Sequence, residues 1–211
     1  MPWTFGEEPL PQTLPLAAVL RRLAGSVQSL ESEHPIVDDL TSTLVVAEGR
    51  LASLAPPSLI PRVGRGVDSD GRVYLDHSRN VGSYNPCFPV YDIGVDVNRA
   101  WGRVEFPVVY EGPPGVVHGG FLAVFFDSVI QHHNCDVGVA GKTTTLSLRF
   151  LRPAPLLSIL DFTIERSVAS DRIASSAELL ESGVLLCEAE MTAVASDQAL
   201  LPEVSSRRAE A

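Results

Sequence analysis

The ten residues FLAVFFDSVI, Phe121 to Ile130, limit what this chain can fold into more than any other stretch. They read as one helix that is apolar on every side, so it is expected to be buried all round by the elements packed on it. One carboxylate, Asp127, interrupts them. Desolvating a carboxylate costs several kcal/mol unless it is paired, hydrogen-bonded or set in a polar cavity. Two readings follow: a polar anchor satisfied by a nearby hydroxyl or arginine, or a functional group in an environment shaped for it.

The start of that helix is also marked. Gly112-Pro113-Pro114-Gly115 fits neither a strand interior nor a helix, which places the first helical turn near His118-Gly119-Gly120. Glycines at a helix head let a ligand approach the backbone, and the unpaired first-turn N–H groups then point at it with the positive end of the dipole behind them. Such a terminus can bind an oxyanion or polarise a carbonyl. By itself a His-Gly-Gly also fits a plain tight turn into a helix.

Strand patterns flank the helix on both sides. PVYDIGVDV places Tyr91, Ile93, Val95 and Val97 on one face, NRAWG reads as a turn, and RVEFPVV as the returning strand. After the helix, TTTLSLRFLRP, SILDFTIERS, RIASSAELLE and LLCEAEMTAVAS alternate with period two, and the last three are separated by short polar turns at Ala169-Ser170-Asp171 and Glu181-Ser182-Gly183. Two strands, one helix and four strands make an α+β domain in which one antiparallel sheet can wrap one helix.

Before it, Leu16, Leu20, Leu23, Val27 and Leu30 recur at helical spacing, as do Val37, Leu40, Leu44, Ala47, Leu51 and Leu54. Pro35 suits a first helical turn and Ala55-Pro56-Pro57 a stop, so an antiparallel helical hairpin is expected. It reads as a packing extension on this domain or a twin subunit, with a substrate lid as the alternative. Residues 56–76 have a linker-like composition. The expected organisation is therefore an extension and linker over 1–76, the main domain over 77–198 and a polar tail over 199–211.

A net charge of −10, with no cluster of Lys or Arg, argues against nucleic-acid or anionic-membrane binding. The first residues lack a signal-type apolar run, which reads as cytoplasmic. Cys87, Cys135 and Cys187 are far apart and suggest neither a disulfide framework nor a zinc site. His132, His133, Cys135 and Asp136 match no standard metal spacing, and the histidines read as solvated groups at a helix C-terminus. No metal and no cofactor is expected.

Taken together, GPPGVVHGGFLAVFFDS and TTTLSLRFLRPAP resemble the hot-dog-fold acyl-CoA thioesterases, in the branch of the phenylacetate-pathway thioesterases and the thioesterase superfamily member 4 type. The likeness covers about residues 80–197. It rests on the strand, strand, helix, four-strand order, the G-x-x-H-G-G turn, the Asp seven residues after the second glycine and the Thr sixteen after the Asp. VGSYNP at 81–86 is similar to a Gly-x-x-Asn-Pro segment of relatives. The resemblance implies a hot-dog fold and hydrolysis of an acyl-CoA to free acid and CoA. Asp127 would serve as general base or nucleophile, and the Gly120 N–H would polarise the thioester carbonyl. His118 would line the site and Thr143 would position the water or the Asp. Strand alternation, however, puts Thr144 rather than Thr143 on the Leu146 face, and a one-residue shift of register exchanges them.

Seven helical residues span about 10 Å, so Gly120 and Asp127 of one chain cannot serve one carbonyl. A two-fold dimer with antiparallel helices would join them in two equal sites. A homodimer or dimer of dimers is the expected assembly. Gly119, Phe121, Thr144 and Arg152 are expected to bind the substrate, and the depth of the pocket around Phe121, Phe125 and the N-terminal hairpin is expected to set the acyl-chain preference. Lys142, Arg149, Arg152, Arg166 and Arg172 could supply cations for the phosphates of CoA, Arg152 foremost. A non-catalytic hot-dog protein that binds acyl-CoA or a protein partner is the alternative.

Overall fold

The computed structural model describes residues 6–62, 71–76, 79–138 and 141–195. The polar tail expected over 199–211 lies outside them. Helices α1 (Thr13–Gln28) and α2 (Pro35–Leu54) come first, followed by strands β1 (Ser58–Arg62) and β2 (Gly71–Val73), which pair in parallel. The segment read as linker-like thus carries a small sheet. Then come β3 (Tyr91–Val95), β4 (Arg99–Glu105), α3 (Gly119–Asp136), β5 (Gly141–Phe150), β6 (Ile159–Ala169), β7 (Arg172–Glu181) and β8 (Val184–Ala195). The turn before β4 is tighter than NRAWG suggested: Asp96 N–H donates to Arg99 O, and the strand already begins at Arg99.

The six later strands form one antiparallel sheet in the order β3-β4-β6-β7-β8-β5, leaving β3 and β5 as its edges. Two-residue loops join β6 to β7 and β7 to β8. The second has Ser182 and Gly183 at φ 49° and 81°, the left-handed pair that a type I′ hairpin requires. Alternation sends Leu160, Phe162 and Ile164 of β6, Ile173, Ala177 and Leu179 of β7, and Ala189, Met191 and Ala193 of β8 inward, all buried. All but Ile173 and Ala193 join one core cluster with Leu122, Phe125, Phe126, Val129 and Ile130 of α3. Phe125 is central, edge-on to Phe106 and Phe162 with centroids 5.4 Å away in each case. The sheet therefore wraps α3, but not on every side. Gly120, Phe121 and Val124 are exposed and Asp127 is half-buried, so one face of the helix expected to be covered all round is open in the single chain.

Within one chain the extension buries only part of its apolar stripe. α1 rests on the short 3-10 turns Val81–Ser83 and Val108–Tyr110 through Ala17 and Arg21, while Leu16, Val27 and Leu30 of the expected stripe are exposed. Arg21, 5% exposed, donates to the carbonyls of Gly82, Asn85 and Phe88, each at 2.7 Å. α2 starts at Pro35 behind a His34 cap and ends before Pro56, as its sequence dictates, but it contains no buried residue. The two helices stand where they were expected, with α2 not packed along α1.

Candidate active site

The glycine turn owes its shape to close backbone approaches. Gly115 has φ 76°, a conformation that suits glycine, and a Cβ on Gly112 would stand 2.8 Å from the His118 Cα. The turn is pinned by Gly112 N–H to Val116 O, Gly115 N–H to Glu111 Oε1, Val117 N–H to Ala154 O and His118 N–H to Tyr110 O. His118 then caps α3: its Nδ1 accepts from the Gly120 N–H at 3.0 Å, so that nitrogen carries no proton. The donor expected to polarise a carbonyl is thus held by its own cap. The Phe150 ring covers Gly119, and Phe121 stands edge-on to Tyr110 at 5.0 Å.

Asp127 lies two turns further along α3, on the same helical face as Gly120, Val124 and Gln131 at about 100° per residue. Its Oδ1 accepts from Thr143 Oγ1 at 2.9 Å. The ambiguity among three threonines is resolved by a β-bulge. Thr143 pairs with Ala193 and Thr145 with Thr192, which leaves Thr144 as the extra residue. Thr143 consequently shares the inner face with Leu146 and Leu148. Thr144 is exposed and donates to Thr192 O, so its expected place beside the substrate is corrected: it is turned away from Asp127.

Behind Thr143 lies a polar chain that the sequence reading missed. Gln131 Nε2 donates to Thr143 Oγ1 at 2.8 Å and to Gly141 O at 3.1 Å. Asn134 Nδ2 donates to Gln131 Oε1 at 3.3 Å, and Arg166 Nε to Asn134 Oδ1 at 2.8 Å. The available signal was spacing, since Gln131 and Asn134 follow Asp127 by four and seven residues, on its side of an otherwise apolar helix.

Other expectations change as well. His132 and His133 are not solvated but 7% and 0% exposed. Their rings meet the Tyr91 hydroxyl at 2.9 Å and the Asp96 carbonyl at 2.8 Å, and burial holds both below the usual histidine range. The five cations do not form one patch. Arg166 is buried on Asn134, Arg149 pairs with Glu188 at 2.7 Å, and Arg152 donates to Leu185 O while remaining exposed. Burial pushes the Cys187 thiol up to about 11, which argues against a nucleophilic role. A groove of about 930 Å³ between α1 and β4, lined by Arg21, Val104 and Ile159 among others, does not include Asp127, Thr143 or Gly120.

A six-stranded antiparallel sheet wrapped round one helix, with a glycine turn at the helix head and a carboxylate two turns in, is a hot-dog fold of the thioesterase-superfamily kind. The chain is similar to a thioesterase superfamily protein of known crystal structure, with a TM-score of 0.71 and 25% sequence identity over 92% of this chain and 96% of that one. That share exceeds what the sheet and α3 can supply, so the likeness extends into the N-terminal helices. A hypothetical thioesterase from Streptococcus pneumoniae, solved with coenzyme A, matches 50% of this chain and 88% of its own at 19% identity and a TM-score of 0.47. The E. coli PaaI protein from the phenylacetic acid degradation operon matches 49% of this chain and 82% of its own at 17% identity, also with a TM-score of 0.47. No protein-family model matches the chain. Among the described residues, no helix is long and apolar enough to cross a membrane.

Proposed function

We propose that this protein is an acyl-CoA thioesterase whose two active sites are each shared between two copies of the chain. The observation that carries the reading is the hydrogen-bonded Asp127–Thr143 pair on the open face of α3, with Gly120 on the same face about 10 Å away. That separation is too long for one carbonyl and suits a two-fold axis. Laying two α3 helices antiparallel about a point between Ala123 and Val124 sets Gly120 of one against Asp127 of the other. The axis then falls on small Ala123 and on Val124, which is 53% exposed and would be covered. A dimer is the minimal active form, and a dimer of dimers keeps the same sites.

In such a site the thioester oxygen is drawn to the N–H at the α3 head, with Gly119 and Gly120 leaving room for it. His118 gives up its cap on Gly120 as the oxygen arrives. Asp127 either takes a proton from the attacking water or attacks the carbonyl itself to form a mixed anhydride that water then hydrolyses; in both routes the CoA sulfur leaves as the thiolate and the free acid is released. A thioester is activated enough that this needs neither metal nor triad. The Thr143 hydrogen bond holds the carboxylate in place for either role. Phe121 lies at the helix head, where the acyl chain would pass. Arg152, close in sequence to the Phe150 that covers Gly119, is the cation offered to a CoA phosphate. Cytoplasmic placement fits such a substrate.

One contact favours a second reading, a non-catalytic protein that binds acyl-CoA or a protein partner: in the free chain the Gly120 N–H is already occupied by His118. Thiol release from short, long and aryl acyl-CoAs, measured for wild type and Asp127→Ala alongside the mass in solution, separates the two. Hydrolysis lost in Asp127→Ala and a dimeric mass support the thioesterase. Binding without thiol release by wild type selects the second reading, and a stable active monomer would sink the shared site.

A further inference from the structure

We infer that Gln131 is a positioning residue for Asp127: it orients the Thr143 hydroxyl so that Oδ1 is held as an acceptor and Oδ2 is left to react. The inference rests on the reading of Asp127 as the reacting group.

The direction of each bond follows from groups that can only donate or only accept. The Arg166 guanidinium only donates, and its Nε faces Asn134 Oδ1 at 2.8 Å while Nη1 faces Val97 O at 3.0 Å. This turns Asn134 Nδ2 toward Gln131 Oε1. The Gly141 carbonyl only accepts, which draws Gln131 Nε2 to it at 3.1 Å and sends the second amide hydrogen to Thr143 Oγ1 at 2.8 Å. Thr143, already an acceptor there, has one hydrogen to give. Met191 Sδ, at 3.8 Å, is a weak acceptor, and Asp127 Oδ1 at 2.9 Å takes that hydrogen. Among the described residues, Oδ2 has no partner.

The chain of bonds thus links a buried cation, 8% exposed, through two amides and a hydroxyl to the carboxylate, crossing from β6 through α3 to β5. Among the described residues Arg166 has no carboxylate partner. Few other charges lie on the elements around Asp127. Lys142 of β5, Arg172 of β7 and Glu190 of β8 are exposed on the outer face, and His132 and His133 bond to Tyr91 and Asp96. In the proposed dimer the second copy adds its His118. The Thr143 hydroxyl therefore sets which Asp127 oxygen is held, and Gln131 sets the direction of that hydroxyl.

The test uses the intact protein, with an acyl-CoA that wild type hydrolyses, across pH 5 to 9, on Gln131→Leu, Gln131→Glu and Asp127→Ala. Gln131→Leu frees the Thr143 hydroxyl to rotate. Its kcat is expected to fall by about tenfold or more, the effect of one hydrogen bond to a charged group. Its KM should stay within about twofold, because the interaction lost acts on the reacting group. The acidic limb of kcat/KM should move to higher pH, since a carboxylate that loses a donor is easier to protonate. In Gln131→Glu a carboxylate draws the Thr143 hydrogen to itself, and both effects should be larger. If Gln131→Leu does not fold, the near-isosteric Gln131→Glu carries the test. A folded Gln131 variant with wild-type kcat and an unmoved acidic limb, beside an inactive Asp127→Ala, overturns the positioning role and leaves the reading of Asp127 intact. Full turnover in Asp127→Ala ends both.

Discussion

Thr143 Oγ1 meets Asp127 Oδ1 at 2.9 Å across a change from helix to strand, and it does so with Thr144 bulged out of the ladder beside it. Thr143→Val, which removes the donor and little volume, is expected to lower kcat by about tenfold to a hundredfold. Thr144→Val, on the outer face, should leave kcat near wild type. Steady-state thiol release checks the pair, and equal losses in both variants would contradict the bulged register.

His118 gives its Nδ1 to the Gly120 N–H as a helix cap, and His118→Ala should reduce the unfolding free energy by about 1 kcal/mol. Gly112→Ala places a Cβ 2.8 Å from the His118 Cα, between two stretches of backbone that side-chain rotation cannot relieve. A loss of about 1–3 kcal/mol is expected there. Urea titrations report both as a lower midpoint at unchanged slope.

The two N-terminal helices should respond to mutation in opposite ways. Arg21→Ala strips three carbonyls of a buried donor and is expected to cost about 3 kcal/mol or more. Leu51→Gln on α2, where the leucine is 59% exposed, should change stability by no more than about 0.5 kcal/mol. Thermal melts of the two variants side by side test the contrast.

Acid should destabilise the fold through His133. Its Nε2 donates to the Asp96 carbonyl, its Nδ1 is buried and among the described residues has no partner, and burial holds it below the usual histidine value. Above pH ~6.5 the ring is neutral in both folded and unfolded chains, and its neutral-state bond is fully present. Below that pH the unfolded chain binds a proton that the folded chain resists, so stability falls with pH by up to about 1.4 kcal/mol per unit until the folded value is reached. His132 acts in the same direction, with Asp136 opposing part of the shift. Melting temperatures from pH 7 to 5 should fall steeply in wild type and less so in His133→Gln.

How much of this was readable from the sequence differs by element. The strand order and the placing of α3 followed from period-two runs and one apolar helix, because a pattern that buries one face fixes which face is buried. Asp127 was conspicuous because a charge in an apolar run has few explanations. Gln131 and Asn134 were not, since uncharged amides at a helix end look like solvated residues until a sheet covers them, and Arg166 read as a strand cation for a ligand rather than a buried donor. The bulge left no trace either, because three identical side chains cannot show which one has slipped. The periodicity of α2 announced an apolar face but not what covers it, and among the described residues nothing does.

The bulge also bears on inheritance. Deleting any one of Thr143, Thr144 and Thr145 yields the same shortened protein. Because Thr143 and Thr145 oppose consecutive residues of β8, Ala193 and Thr192, the shortened strand closes into a regular ladder with a threonine still opposite Ala193. An in-frame loss of one codon in this run should therefore be nearly silent, whereas the same loss a few residues downstream would turn Leu146 and Leu148 out of the core.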